Sequence, residues 1–209
     1  MGGVRGHRIF AGFYDRLNAA AERGFLGKRR EALLHGLTGT VCDIGAGTGA
    51  NLPYLRSAER IVAVEPDPAM RARLARRAPA TSVPVEIAEA SAEALPFADA
   101  SADAVVFTLV LCTVPDPDAA LAEARRVLRD DGKLVLLEHV RGTGRLARGQ
   151  DLVTPVWKVF GAGCHPNRDT LGTLRRHGEF ELDEVEEFSE IPRWVPVSPM
   201  IQVTARPVS

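Results

Sequence analysis

The stretch that most restricts how this chain can fold is Thr40-Val41-Cys42-Asp43-Ile44-Gly45-Ala46-Gly47-Thr48-Gly49-Ala50-Asn51-Leu52. A short β-like run breaks into glycines at 45, 47 and 49 and then restarts as helix. Glycine takes φ values closed to other residues, so backbone N–H groups in such a turn can come close to a ligand at the following helix N-terminus. A second buried-strand run, Ile61-Val62-Ala63-Val64, ends in Glu65. An acid about twenty residues past the first glycine is where a doubly wound nucleotide-binding unit takes the ribose hydroxyls. Strand, turn, helix, strand and acid in this order predict a nucleotide cradle. Spacing alone does not name the ligand, because Gly45-x-Gly47-x-x-Ala50 also satisfies the dinucleotide fingerprint, which tolerates alanine at its last position.

The remainder of the chain supplies the alternation that such a unit needs. Asp67 and Pro68 open a helix through Met70, Leu74 and Arg77, Pro79 and Pro84 bracket its end, and Val83 to Ile87 reads as a third strand. The apolar run from Asp103 to Leu111 suits a central strand. A helix follows from Asp118 to Leu128, with Ala119, Leu121, Ala122, Val127 and Leu128 available for burial, and Asp130-Asp131-Gly132 as its stop and turn. Lys133 to Val140 is the next strand, which puts His139 at a carboxyl end, the edge where ligands of open α/β sheets bind. Regular alternation predicts a parallel sheet covered by helices on both faces.

The flanks read differently. Phe10, Phe13, Tyr14 and Leu17 recur at helical spacing and predict an accessory helix over the cradle, followed by an amphipathic run from about Asn18 to His35 that Gly36 and Gly39 end. Beyond Arg141, Leu146, Val153, Val156, Trp157 and Phe160 suggest an apolar helix face interrupted by Pro155. Asn167 is a plausible N-cap for a helix to His177 that Gly178 stops, and Phe180 to Phe188 with Met200 to Val208 look like a closing antiparallel pair.

With 209 residues, 45% of them hydrophobic and 25% charged, the chain suits one soluble globular domain. A formal net charge of -1 gives no electrostatic case for nucleic acid. No apolar run approaches twenty residues and none stands behind the amino terminus, which leads us to expect a cytoplasmic protein. Cys42, Cys112 and Cys164 are odd in number and lack metal-ligand spacing, so neither a structural disulfide nor a metal site is expected from spacing.

Taken together, Val41 to Gly49, Val64-Glu65-Pro66-Asp67-Pro68-Ala69-Met70, Ala92-Glu93-Ala94-Leu95-Pro96-Phe97 and Arg126 to Gly132 resemble the motifs of class I S-adenosylmethionine-dependent methyltransferases, over about Phe13 to the end of the chain. Thr108 to Val114, Glu138-His139-Val140 and Gly163-Cys164-His165-Pro166-Asn167-Arg168-Asp169-Thr170 are similar to the small alkyl-thiol methyltransferases, and more distantly to bacterial phospholipid-amine and quinone methyltransferases. The resemblance implies a single α/β domain with one doubly wound, Rossmann-like, seven-stranded sheet, mostly parallel with an antiparallel last strand. Within residues 1–209, 1–38 would be accessory helices, 40–140 the cofactor-binding core, 141–178 the acceptor-pocket segment and 179–209 the closing strand pair.

The cofactor implied is S-adenosyl-L-methionine, released as S-adenosyl-L-homocysteine. Gly45, Ala46 and Gly47 would line its methionine part, Glu65 would grip the ribose, Pro66 and Met70 would flank the adenine, Ala92 and Glu93 would reach the adenine's amino edge, and Leu109 would lie near the sulfonium. Ser91 replaces the acid that many relatives set against the adenine amino group. The expected acceptor is a small molecule, most simply the sulfur of an apolar thiol. The alternatives are an amine such as a phospholipid headgroup, a nicotinamide-binding module and a cofactor-binding scaffold without turnover.

Methyl transfer from a sulfonium is an in-line displacement with an activated donor, so positioning and exclusion of water dominate. His139 is a candidate base, or a histidine that holds its loop through the backbone. Cys164 and His165 are acceptor-pocket candidates or members of a tight turn; Tyr14 would close over the sulfonium or pack its own helix. Cys112 reads as core packing, and Trp157 with Phe160 as an acceptor wall, a surface docked on the sheet or one dipped into a membrane.

Overall fold

The computed structural model describes residues 22–208 apart from Ala162 and Arg193. Seven strands, β1 (Thr40–Ile44), β2 (Arg60–Val64), β3 (Val85–Ala88), β4 (Ala102–Thr108), β5 (Leu128–His139), β6 (Phe180–Phe188) and β7 (Met200–Pro207), form one sheet in the order β3-β2-β1-β4-β5-β7-β6. Strands β1 to β5 are parallel, and β7 lies antiparallel between β5 and β6. The expected doubly wound sheet with its antiparallel closing strand is therefore present.

Alternation along the strands explains why helices cover both faces. Val105 and Phe107 of β4 pack on one face with Leu121 and Val127 of α3 (Pro117–Val127) and Leu171 and Leu174 of α5 (Thr170–His177). Ala104 and Val106 face the other way, with Leu34 of α1 (Gly27–Leu34) and Leu74 of α2 (Pro68–Arg77). Successive strand residues point to opposite faces, so a strand apolar at every position needs a cover on each.

Several boundaries differ from the sequence expectation, each for a local reason. Strand β4 ends at Thr108, because Leu109 has φ 61 and the next N–H groups turn onto the Glu138 carboxylate. Helix α3 starts at Pro117 behind Asp116, whose side chain accepts from Ala119 N (3.1 Å), and that phase buries Ala120, Leu121, Ala124 and Val127 while Ala122 is exposed. Leu128 then opens β5 directly, so Asp130-Asp131-Gly132 lies inside a strand of 12 residues instead of forming a turn. The N-cap of α5 is Asp169, accepting from Gly172 N, and not Asn167, whose amide goes to Asp151.

Helix α4 (Gly144–Phe160) runs through Pro155 without a break. Pro155 is on its exposed side, and the Thr154 hydroxyl donates to the Gln150 carbonyl (2.6 Å). Its buried face is Ala147, Gln150 and Thr154; of the expected apolar face Leu146, Val153 and Trp157 are half-buried and Val156 is exposed, and Leu152 and Val159 also point outward. Of the expected first long helix, Glu22–Leu26 is a π-helical turn kinked at Gly24 before α1. The accessory segment with Phe10, Phe13 and Tyr14 lies outside the described residues, as does the Phe160 side chain. Among the described residues no helix is long and apolar enough to cross a membrane.

Candidate active site

The parallel register sets the ends of four strands level: Ile44 pairs with Val64 and Phe107, and Val64 with Ala88. Sheet order reverses at β1 and β4, and a crevice outside the carboxyl ends at such a point is the ligand site of open α/β sheets. The glycine turn, Glu65, Leu109 and His139 all stand at this edge.

The cradle is held from below. Ala46 N donates to the Val64 carbonyl (2.9 Å), Gly47 N to one Glu65 carboxylate oxygen and Asp67 N to the other (both 2.8 Å). Each oxygen keeps a lone-pair direction for a ribose hydroxyl. Burial raises the Glu65 pKa, against which these two backbone donors act. Asp67 in turn caps α2 by accepting from Ala69 N and Met70 N.

Two glycines do different work. At Gly45 (φ +66) a Cβ would stand 2.6 Å from a Val110 methyl, so the turn after β1 packs directly on the turn after β4. At Gly47 (φ +57) the nearest atom to a Cβ would be the Gly45 carbonyl at 3.9 Å. That side of the backbone faces open space, as a ligand lying across the turn requires.

Under the cradle is a polar network that the sequence reading did not single out. Asn51 donates to Asp43 Oδ1 (2.6 Å) and to the Thr108 hydroxyl (2.9 Å), and buried Arg30 of α1 donates to Thr108 (2.7 Å) and to the Asn51 carbonyl oxygen. Asp43 is fully buried, and its Oδ2 has no hydrogen-bond partner among the described residues. Burial pushes its pKa up to about 6, partly offset by Asn51 and Arg30. The legible signal was a carboxylate inside an otherwise apolar strand.

The adenine candidates are arranged more loosely. Met70 and Ala92 are buried, Pro66 is exposed, and half-buried Glu93 accepts from Asp116 N (3.3 Å). Arg126 donates to the carbonyls of Leu95 (2.9 Å) and Phe97 (2.7 Å), while Glu123 accepts from Leu95 N (2.7 Å), so α3 fixes the segment that follows.

Beside the cradle the chain is tied around the turn after β4. Fully buried Glu138 accepts from Val110 N (2.7 Å), Leu111 N (2.8 Å) and Cys112 N (3.3 Å), and burial raises its pKa against those donors. From the other side Arg168 donates to the carbonyls of Leu111 (2.5 Å) and Val114 (2.7 Å), and His165 N to that of Cys112 (2.7 Å). The His165 ring is 3.3 Å from the same carbonyl, so His165 braces this turn.

Cys164 goes the other way. Its sulfur is 3.8 Å from His139 Nδ1, and that of Cys112 is 4.0 Å from the same nitrogen. Cys112, His139 and the Trp157 indole all favour the Cys164 thiolate and lower its pKa, while Cys112 is raised by its contact with Cys164 and by burial. Cys42, by contrast, is pushed up to about 12 by burial. Among the described residues no disulfide joins the three cysteines.

Residues 42–136 match the model of the methyltransferase domain. Thiol S-methyltransferase TMT1B of Homo sapiens is 33% identical over 197 residues, covering 88% of this chain and 80% of that protein. Phosphatidylethanolamine N-methyltransferase of Cereibacter sphaeroides is 27% identical, over 82% of this chain and 80% of that one. The crystal structure of an S-adenosylmethionine-dependent methyltransferase from Mesorhizobium loti shares the fold, with TM-score 0.66, 20% identity and coverage of 86% of this chain and 96% of that one. The chain belongs to the S-adenosylmethionine-dependent methyltransferase family. It is a methyltransferase, and its cofactor is S-adenosylmethionine. The open face at Gly47 and the Glu65 oxygens fit that nucleoside as they would fit a dinucleotide, and it is the family that sets the nicotinamide alternative aside.

Proposed function

We propose that the acceptor is the sulfur of a small apolar thiol. The observation that carries this is the engagement of Arg168, Asp151 and Asp169, three of the acceptor segment's ionic groups. Arg168 is bound to two carbonyls, Asp151 pairs with Arg141 (2.7 Å) and accepts from Asn167 (3.0 Å), and Asp169 caps α5. A phosphate or ammonium acceptor would need such groups as partners, whereas a neutral thiol does not. The likeness to thiol S-methyltransferase TMT1B supports the same reading.

The bound cofactor supplies an electrophilic methyl group on a sulfonium. The residues that hold it are the backbone from Gly45 to Gly47, Glu65, and the flanking Pro66, Met70, Ala92, Glu93 and Leu109. Glu138 and Arg168 keep the turn after β4 rigid, which keeps the acceptor side in register with the cradle through the Gly45–Val110 contact. The thiol loses its proton beside His139, the ring that meets both sulfurs; Cys164 lines that side, His165 positions the turn, and Tyr14 is a candidate from outside the described residues. With a reference pKa near 8.5 a thiol needs little assistance at neutral pH. We also place the enzyme in the cytoplasm, where three cysteines stay reduced.

The test is methyl transfer to matched thiol, amine and hydroxyl acceptors across pH, with and without lipid vesicles. Turnover should follow the thiolate fraction of the acceptor and require no lipid. Activity confined to lipid amines would overturn the reading in favour of phospholipid-amine methylation. One observation favours that second reading: Leu152, Val156 and Val159 of α4 are 81%, 63% and 75% exposed and form an apolar stripe of the kind that rests on a bilayer.

A further inference from the structure

Cys112, His139 and Cys164 come from three separate places: the turn after β4, the last residue of β5 and the loop between α4 and α5. Spacing in the sequence gives no hint that they meet. In the fold their two sulfurs and Nδ1 lie within 4.8 Å of one another, with sulfur–nitrogen separations of 3.8 and 4.0 Å. Both separations are those of weak sulfur hydrogen bonds, and a ring nitrogen with a single lone pair accepts only one of them at a time.

A tetrahedral cation accounts for the arrangement. Zinc–sulfur bonds of about 2.3 Å and zinc–nitrogen bonds of about 2.0–2.1 Å place sulfur and nitrogen about 3.6 Å apart, and two sulfurs about 3.8 Å apart. The two sulfur–nitrogen separations need to contract by only a few tenths of an ångström, and the sulfurs lie within 4.8 Å of each other. We propose that Cys112, His139 and Cys164 form a binding site for a divalent cation of the zinc class, held by two sulfurs and one imidazole nitrogen.

The donor set selects the ion: thiolate and imidazole suit zinc and its neighbours, whereas magnesium and calcium require oxygen ligands. The scaffold is rigid where it must be. The Glu138 carboxylate holds the Cys112 N–H, His165 N holds the Cys112 carbonyl, and Arg168 holds the carbonyls of Leu111 and Val114, so the ligand-bearing turn is fixed on both sides. Three protein donors leave one tetrahedral position, the pattern of sites that take an exogenous ligand, and a small thiol is a ligand of matching softness. The site goes beyond the methyl-transfer reading and does not depend on the identity of the acceptor: with a cation on Nδ1 the ring proton sits on Nε2, so His139 then serves as a ligand and not as a base, which a thiol at neutral pH can spare.

The experiment uses the full chain, reduced and stripped of metal, titrated with cobalt(II) as the probe. One cobalt per chain should bind with the thiolate-to-metal charge-transfer absorption of a cysteine-ligated tetrahedral site, zinc should displace it, and a small thiol should shift its visible bands. Cys164→Ser and His139→Ala should each lose or weaken the absorption, while Cys42→Ala, which changes a buried β1 side chain, should keep it. Native mass spectrometry of the wild-type chain gives the zinc count without any variant. A folded wild-type protein that shows no charge-transfer band, or that yields a Cys112–Cys164 disulfide in place of metal uptake, would overturn the proposal. Methyl transfer found only on amines would overturn the thiol acceptor and leave the cobalt result unchanged.

Discussion

Asp43 and Glu65 are both buried carboxylates at the cofactor edge, yet their surroundings give them different work. Glu65 accepts two backbone N–H groups, whereas one Asp43 oxygen has no partner among the described residues. A folded-state pKa of about 6 against a reference of 3.8 means that folded Asp43 holds its proton more tightly than the unfolded chain does. Its contribution to stability is therefore fully present below the unfolded pKa and is lost as pH rises through the folded one. The difference corresponds to about 3 kcal/mol at about 1.36 kcal/mol per unit. In urea melts, Asp43→Asn should be more stable than wild type at pH 7 and show a flatter fall in stability between about pH 4 and 6. Glu65 and Glu138, raised in the same direction by burial, should leave a residual slope. A variant with the wild-type slope would contradict the assignment. Glu65→Ala removes a charged acceptor as well as the support of Gly47, and should weaken S-adenosylmethionine binding by about 1.5–3 kcal/mol in titration calorimetry.

The glycine turn shows how one element satisfies two demands. Gly45→Ala adds a methyl against Val110 at a positive φ, so either the cradle or the turn after β4 must shift. The expected cost is about 1–3 kcal/mol in thermal or denaturant melts. Gly47→Ala meets open space and should cost about 1–2 kcal/mol, from its left-handed backbone alone. Cofactor affinity should nonetheless collapse in Gly47→Ala, because the added methyl occupies the ligand's side of the turn. Equal binding by Gly47→Ala and wild type would show that the cofactor lies elsewhere. Helix α4 is secured differently: the Gln150 amide donates to the carbonyls of Val140, Pro166 and Pro196, and its oxygen accepts from Gly142 N. One buried polar side chain thus joins α4 to the end of β5, the loop before α5 and the loop before β7.

Across the whole molecule, β7 decides whether β5 is covered on its outer side. It pairs with β5 from Leu134–Ala205 to His139–Met200 and so covers the strand that carries Glu138 and His139. Without it, β5 would become an edge strand with four consecutive buried apolar residues, Leu134 to Leu137. A chain ending at Gly178 should collect in the insoluble fraction; a soluble form with a cooperative melt near that of the full chain would refute this.

What the sequence determined by itself was whatever depends on short-range pattern. Alternating strand and helix signals, three glycines and an acid at the right distance were enough for the parallel core and for setting the glycine turn and Glu65 at one sheet edge, because each follows from backbone rules within one βαβ unit. Helix limits were less legible. Side-chain caps such as Asp116 and Asp169 set the phase of α3 and α5, and the nearby Asp118 and Asn167 are equally good capping types by composition. Long-range contacts belonged to the tertiary structure alone. Arg30 meeting Asn51 and Thr108, Glu138 gathering three N–H groups, and two cysteines converging on His139 each join elements whose proximity is decided by sheet order. Burial then gives these side chains their chemistry, since a carboxylate or thiol acquires a shifted pKa or a ligand geometry only after the fold has removed the water around it.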